Sequence, residues 1–176
     1  MRKLKLKELG RKTTEEYKSA DKLAVTVVLD NLRSAHNVGS VFRTVDCMAL
    51  ERIILCGITA IPPSNDIRKT AIGATESVSW QHEKDIVTAV TTLKEEGYKI
   101  LGIEQTTQSI DLSEINFRLY DKIAILLGNE VEGLNESILP LLDQAIEIKQ
   151  FGTKHSLNVS VCAGMVLWEI TKQLRS

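Results

Sequence analysis

Apolar residues fall along this chain in two rhythms. Leu23-Ala-Val-Thr-Val-Val-Leu29, Arg52-Ile-Ile-Leu-Cys56, Lys99-Ile-Leu-Gly-Ile103, Ile123-Ala-Ile-Leu-Leu127 and Ala145-Ile-Glu-Ile148 are short, mostly apolar runs rich in β-branched residues. Runs of that kind predict strands buried on both faces. Between them apolar positions recur at helical spacing. Val38 to Met48 places Val38, Val41, Phe42 and Val45 on one face, and Asp85–Glu96 and Val159–Leu174 repeat the pattern. Gly97 stops the middle helix. Ser77–Gln81 reads as a short strand, Asn135–Leu142 as a short helix, and the stretch opening at Gly57 starts as a loop because of Pro62-Pro63. Strands alternating with helices predict an α/β fold with a mostly parallel sheet covered by helices on both faces. One domain, residues 23–176, follows a basic helical arm, residues 1–22, broken near Gly10 and restarted by the capping-box spacing of Thr13 and Glu16.

Composition narrows the chemistry. Aromatic residues make up 5% of the 176 positions, too few for a base-stacking platform of the single-strand-binding type. Net charge is −1, yet residues 1–22 hold eight Lys and Arg against four Asp and Glu, which suits a polyanionic partner. Cys47, Cys56 and Cys162 are widely spaced with no Cys-x-x-Cys, so neither a zinc site nor a disulfide framework is indicated. His36, His82 and His155 lack ligand spacing, and no metal is expected. No apolar run reaches membrane-spanning length, and the charged start lacks a secretion signal's apolar core. A cytoplasmic protein with no membrane attachment is expected.

Three polar loops leave strand ends, where open α/β sheets hold ligands. In the first, Asp30 to Thr44, Asn37 sits at the expected helix start and Arg43 within its first two turns. Asn37 suits an N-cap, and an arginine so placed opposes the helix dipole, which points to a role in holding an anion. In the second, Gly128 to Asn135, Glu130 can receive backbone N–H bonds. In the third, Gly152 to Ser160, Ser156 and Asn158 are both N-cap types for the last helix. None of these loops is a dinucleotide glycine fingerprint, a phosphate loop or a hydrolase nucleophile elbow.

Taken together, Asn37-Val-Gly39 with Arg43-Thr44, then Leu127-Gly128-Asn129-Glu130 with Gly133-Leu134, then Gly152 with Ser156-Leu157-Asn158-Val159-Ser160, resemble the motifs of the SpoU (TrmH) family of SPOUT-class RNA 2′-O-ribose methyltransferases. The resemblance implies a parallel-sheet fold with a C-terminal deep trefoil knot, a homodimer, and S-adenosyl-L-methionine as cofactor. It implies catalytic roles for Arg43, Asn37, Glu130, Ser156 and Asn158. It implies cofactor contacts from Leu127, Gly128, Asn129, Gly133, Ile148, Gln150, Ser156 and Leu157. RNA would be met by Arg33 and by the arm residues Arg2, Lys3, Lys5, Lys7, Arg11 and Lys12. The short chain favours tRNA as substrate, with rRNA, or RNA binding without transferase activity, as the alternatives. The chain departs from the family at Lys149-Gln150, where Pro-Met is usual, a change that bears on cofactor affinity and on the polarity of the adenine pocket.

Overall fold

A computed structural model describes residues 1–176, with every side chain except that of Leu6. Seven strands, β1 Leu23–Asp30, β2 Leu50–Cys56, β3 Ser79–Glu83, β4 Lys99–Ile103, β5 Ile110–Asp111, β6 Ile123–Leu127 and β7 Gln144–Glu147, form one sheet in the order β3-β2-β1-β6-β4-β7-β5. Every pairing is parallel. Six α-helices accompany it: α1 Thr14–Ser19, α2 Ala35–Met48, α3 Asn65–Ala71, α4 Ala74–Ser77, α5 Ile86–Glu95 and α6 Val159–Arg175.

The near-continuous apolar runs are explained by two cores. From β1, Val25, Val27 and Leu29 point into the layer beneath α2, α3, α4 and α6, while Val28 points into the layer beneath α5. Each fully buried Leu, Ile or Phe contributes about 1.5–3 kcal/mol. That burial, rather than intrinsic propensity, holds helices as short as α3 and α4. The arm is tied to this body: Tyr17 of α1 is 8% exposed, and its hydroxyl donates to the Val45 carbonyl at 3.4 Å.

Gly39 sets how closely α3 approaches α2. A Cβ there would lie 2.2 Å from Thr70 Oγ1 and 2.3 Å from the Ile67 carbonyl oxygen. The glycine of Asn37-Val-Gly39 is thus a packing requirement, and it seats α3 against the helix carrying Asn37 and Arg43.

Local expectations shift in three places. The cap of α2 is Ser34, whose Oγ accepts from the Asn37 N–H, so the helix begins earlier than the spacing suggests and Asn37 lies inside it. The cap of α6 is Asn158 alone. The segment Glu136–Leu141 is the expected short helix, of the 3-10 type, with Pro140 inside it. The two-residue β5 lies in a stretch too polar to read as a strand. Among the described residues, no helix is long and apolar enough to cross a membrane.

Candidate active site

In a parallel sheet with this strand order, β1, β6, β4 and β7 are neighbours and all end at one edge. The three polar loops therefore leave the same edge of the sheet, although 121 residues separate Asn37 from Asn158.

Glu130 joins the first two loops. Its Oε2 accepts the Arg33 N–H at 2.9 Å, and its Oε1 accepts the Ser34 N–H at 3.0 Å and Asn37 Nδ2 at 3.0 Å. Partial burial pushes this carboxyl upward, but the Arg33, Asn37 and Ser34 donors outweigh it and leave its pKa below the usual glutamate value. Glu130 is therefore ionised at neutral pH and accepts all three bonds. Asn37 passes the connection on: its Oδ1 accepts from Asn158 Nδ2 at 3.2 Å. Asn158 in turn caps α6, accepting the Ser160 N–H at 2.9 Å and the Val161 N–H at 3.4 Å. One side-chain relay thus locks all three loops together.

The second loop is framed from within. Asn129 and Gly133 exchange backbone hydrogen bonds, and Asn129 Oδ1 accepts the Val131 and Glu132 N–H groups at 2.9 and 3.1 Å. Asn129 Nδ2 donates to the Asn31 carbonyl at 2.8 Å. Asp30, buried at the end of β1, accepts the Asn135 N–H at 3.1 Å. Burial raises the Asp30 pKa even though that N–H and Asn31 favour the charged form.

Beside the relay lies a cleft of about 460 Å³, a volume suited to a small organic ligand. Leu127 at the end of β6 and Gly128, Asn129, Glu130 and Gly133 of the second loop line it, with Ile148 and Gln150 just after β7 and Ser156 and Leu157 of the third loop. All eight residues expected to contact a cofactor are present. The charged lining is one-sided: Glu104, Glu130, Glu132 and Glu147 are carboxylates, and among the described residues no lysine or arginine lines the cleft. Such a lining favours a ligand carrying positive charge. Cys162 also lines it, its thiol pushed up to about 11 by burial and by Glu104, so it stays neutral. The Lys149-Gln150 departure divides: Gln150 lines the cleft, whereas Lys149 lies outside it, 3.6 Å from Asp111 and 3.9 Å from Glu114.

Arg43 stands apart. It is the ninth residue of α2, beyond the first two turns, so opposition to the helix dipole no longer accounts for it. It is exposed, does not line the cleft, and forms no hydrogen bond or ion pair among the described residues. Spacing places it on the outer stripe with His36 and Cys47, also exposed. Ser156 lines the cleft but makes none of the capping bonds expected of it. Arg33 is exposed at the rim, its backbone held by Glu130. In the arm, Arg2 is engaged by Glu8 at 2.6 and 2.9 Å, while Lys3, Lys5, Lys7, Arg11 and Lys12 are exposed.

The exit of β4, Glu104-Gln105, also lines the cleft, although no motif marks it. Its one signal is general: a buried parallel strand ending in polar residues has a ligand-facing exit wherever the sheet order places it.

The profile of the SpoU rRNA Methylase family matches residues 24–168. Over 147 residues the chain is 34% identical to the 23S rRNA (guanosine-2′-O-)-methyltransferase RlmB of Neisseria meningitidis serogroup B, covering 84% of this chain and 58% of that protein. It is 32% identical over 152 residues to the tRNA (guanosine(18)-2′-O)-methyltransferase of Escherichia coli K12, covering 85% and 63%. The chain spans about three fifths of the length of these curated relatives. Among solved structures, the TrmH/SpoU tRNA modifying enzyme of A. aeolicus superposes with a TM-score of 0.81 at 22% identity, over 92% of this chain and 81% of that one. The AdoMet-bound rRNA methyltransferase of Sinorhizobium meliloti gives 0.80 at 24% identity, over 89% and 59%.

Proposed function

The chain belongs to the SpoU rRNA Methylase family, and on that premise we propose that it methylates a ribose 2′-hydroxyl of structured RNA, tRNA foremost, with S-adenosylmethionine as donor. The observation that carries this reading is the Glu130–Asn37–Asn158 relay beside a cleft lined by carboxylates. The cofactor is a sulfonium, and a negative cleft without lysine or arginine suits it. The glycine at 128 lets the Gly133–Leu134 backbone pack against it, which closes the second loop along the cleft. Bound there, the cofactor supplies an electrophilic methyl group. Leu127 to Gly133 and Ile148 to Leu157 would hold it, with Gln150 giving the adenine side a polar contact.

The chain's own residues then have to place the hydroxyl and manage its proton. A guanidinium stays protonated, so Arg43 acts as a cation rather than a base. It would bind the adjacent phosphate and stabilise the developing alkoxide, while a phosphate oxygen or water takes the proton. Asn37, fixed on both sides by the relay, would orient the hydroxyl. The same reading has the segment after β7 threaded as a deep trefoil knot, one of the rare departures from unthreaded chains.

Calorimetry with S-adenosylmethionine, paired with transfer of labelled methyl to tRNA, tests the proposal. Binding and 2′-O-methylated product are expected. Binding of RNA with neither heat from the cofactor nor product would leave an RNA-binding protein without transferase activity.

Two further parts belong to this reading. Val161, Met165 and Trp168 form an exposed apolar stripe on α6, which packs beside α2, and this supports a homodimer. Pairing would also give Arg43, clear of its own cleft, a cleft to serve; a single-chain mass in sedimentation would refute it. The exposed lysines and Arg11 of the arm support RNA contact by residues 1–22 outside the transferase domain, 23–176. Deleting residues 1–12 should weaken RNA binding and flatten its salt dependence, by about 0.7–0.9 in slope for each phosphate no longer neutralised. An unchanged slope would remove the arm from the interface.

A further inference from the structure

β4 lies between β6 and β7, so its exit emerges between the second and third loops. Two consecutive side chains there fasten one loop each. Glu104 accepts the Leu134 N–H at 2.9 Å through Oε2, while its Oε1 accepts the Gln105 N–H at 2.9 Å. Gln105 reaches the other way, donating from Nε2 to the His155 carbonyl at 3.0 Å. Gln150 donates to the same carbonyl at 3.5 Å. Among the described residues these two are the only hydrogen bonds made to residues 151–157, all of which are exposed. His155, Ser156 and Leu157 nevertheless line the cleft. A wall of the site therefore rests on one carbonyl, and the closer of its two donors comes from the exit of another strand.

We infer that Gln105 is the positioning residue that holds the third loop in place as a wall of the cleft, so that how long a ligand stays there is set by a strand exit outside all three motifs. This rests on the cofactor reading given above for what the cleft binds, but the holding of the loop does not. A neutral amide–carbonyl bond is modest in net worth, which sets the size of the effect. Glu104, by contrast, acts on the second loop, so the two residues of one dipeptide govern opposite walls.

Gln105→Leu keeps most of the side-chain volume and removes the donor. It should raise the dissociation constant and the release rate of S-adenosylmethionine about three- to tenfold, and raise KM for it while kcat at saturation holds. It should also speed tryptic cleavage after the exposed Lys154 in the absence of any ligand. Gln105→Glu supplies a rescue read by pH: ionised, it cannot donate to the carbonyl; protonated, it can. Its affinity deficit relative to the unchanged protein should therefore shrink as pH falls through the carboxyl range. If the unchanged protein binds no S-adenosylmethionine, the functional reading fails, and the Lys154 cleavage rate alone decides the role of Gln105. If the unchanged protein binds and Gln105→Leu alters neither affinity nor cleavage, the inference is overturned.

Discussion

Arg43→Ala should lower methyl transfer about 10²–10³-fold, the loss typical of removing one group that stabilises a developing oxyanion, with cofactor affinity unchanged. The separation follows from where Arg43 lies. It is exposed on α2 with no partner among the described residues, so its loss leaves no buried group unsatisfied and should not disturb the fold. It does not line its own chain's cleft, and its role in this reading is toward the RNA's phosphate, so cofactor affinity should hold. Only a step that involves the RNA's phosphate and hydroxyl can feel it. Arg43→Lys keeps the charge but loses the bidentate fork, and should fall between the two. Transfer near the unmodified rate in Arg43→Ala would strip this residue of its role.

The second large effect concerns Gly128. A Cβ there would stand 2.2 Å from the Gly133 carbonyl carbon, 2.3 Å from the Leu134 nitrogen and 2.4 Å from the Gly133 oxygen. All three are backbone atoms, which cannot swing aside as a flexible side chain would. They also belong to a turn already fastened by Asn129 and by Glu104. Gly128→Ala should therefore cost about 3 kcal/mol, the upper end for overpacking, and lower the melting temperature by about 6–12 °C for a chain of this size. Cofactor binding should be lost with it. Gly152→Ala is the control: nothing lies within 4 Å of its added carbon, so stability should change by no more than about 0.5 kcal/mol. Equal melting of Gly128→Ala and the unchanged protein would mean the turn is far more pliable than this packing implies.

Much of this site is readable from the sequence because it is written in local signals. Strand exits rich in Gly, Asn and Glu announce the loops, and the glycines at 128 and 133 belong to the second motif. What stays hidden depends on contacts that spacing cannot report. Ser34 and Asn37 are both cap types. The structure uses Ser34 because Glu130, 93 residues away from Asn37, takes the Asn37 side chain and the Arg33 and Ser34 N–H groups. The earlier helix start is also what puts Arg43 beyond the first two turns. The β4 exit is silent because β4 borders β6 and β7 only in the assembled sheet, where neighbours are not consecutive. Gln105 is no unusual residue type, and its partner is a carbonyl 50 positions on.

The Asn37–Asn158 bond joins residues 121 positions apart. A nascent chain emerging from the ribosome therefore cannot complete this relay until the start of α6 has been synthesised, however early β1 and α2 take shape. Contacts of such sequence separation also carry a loop-closure cost, which slows folding. Ligand competence should thus come only after Asn158 has joined Asn37, well after the first loop and its helix are in place.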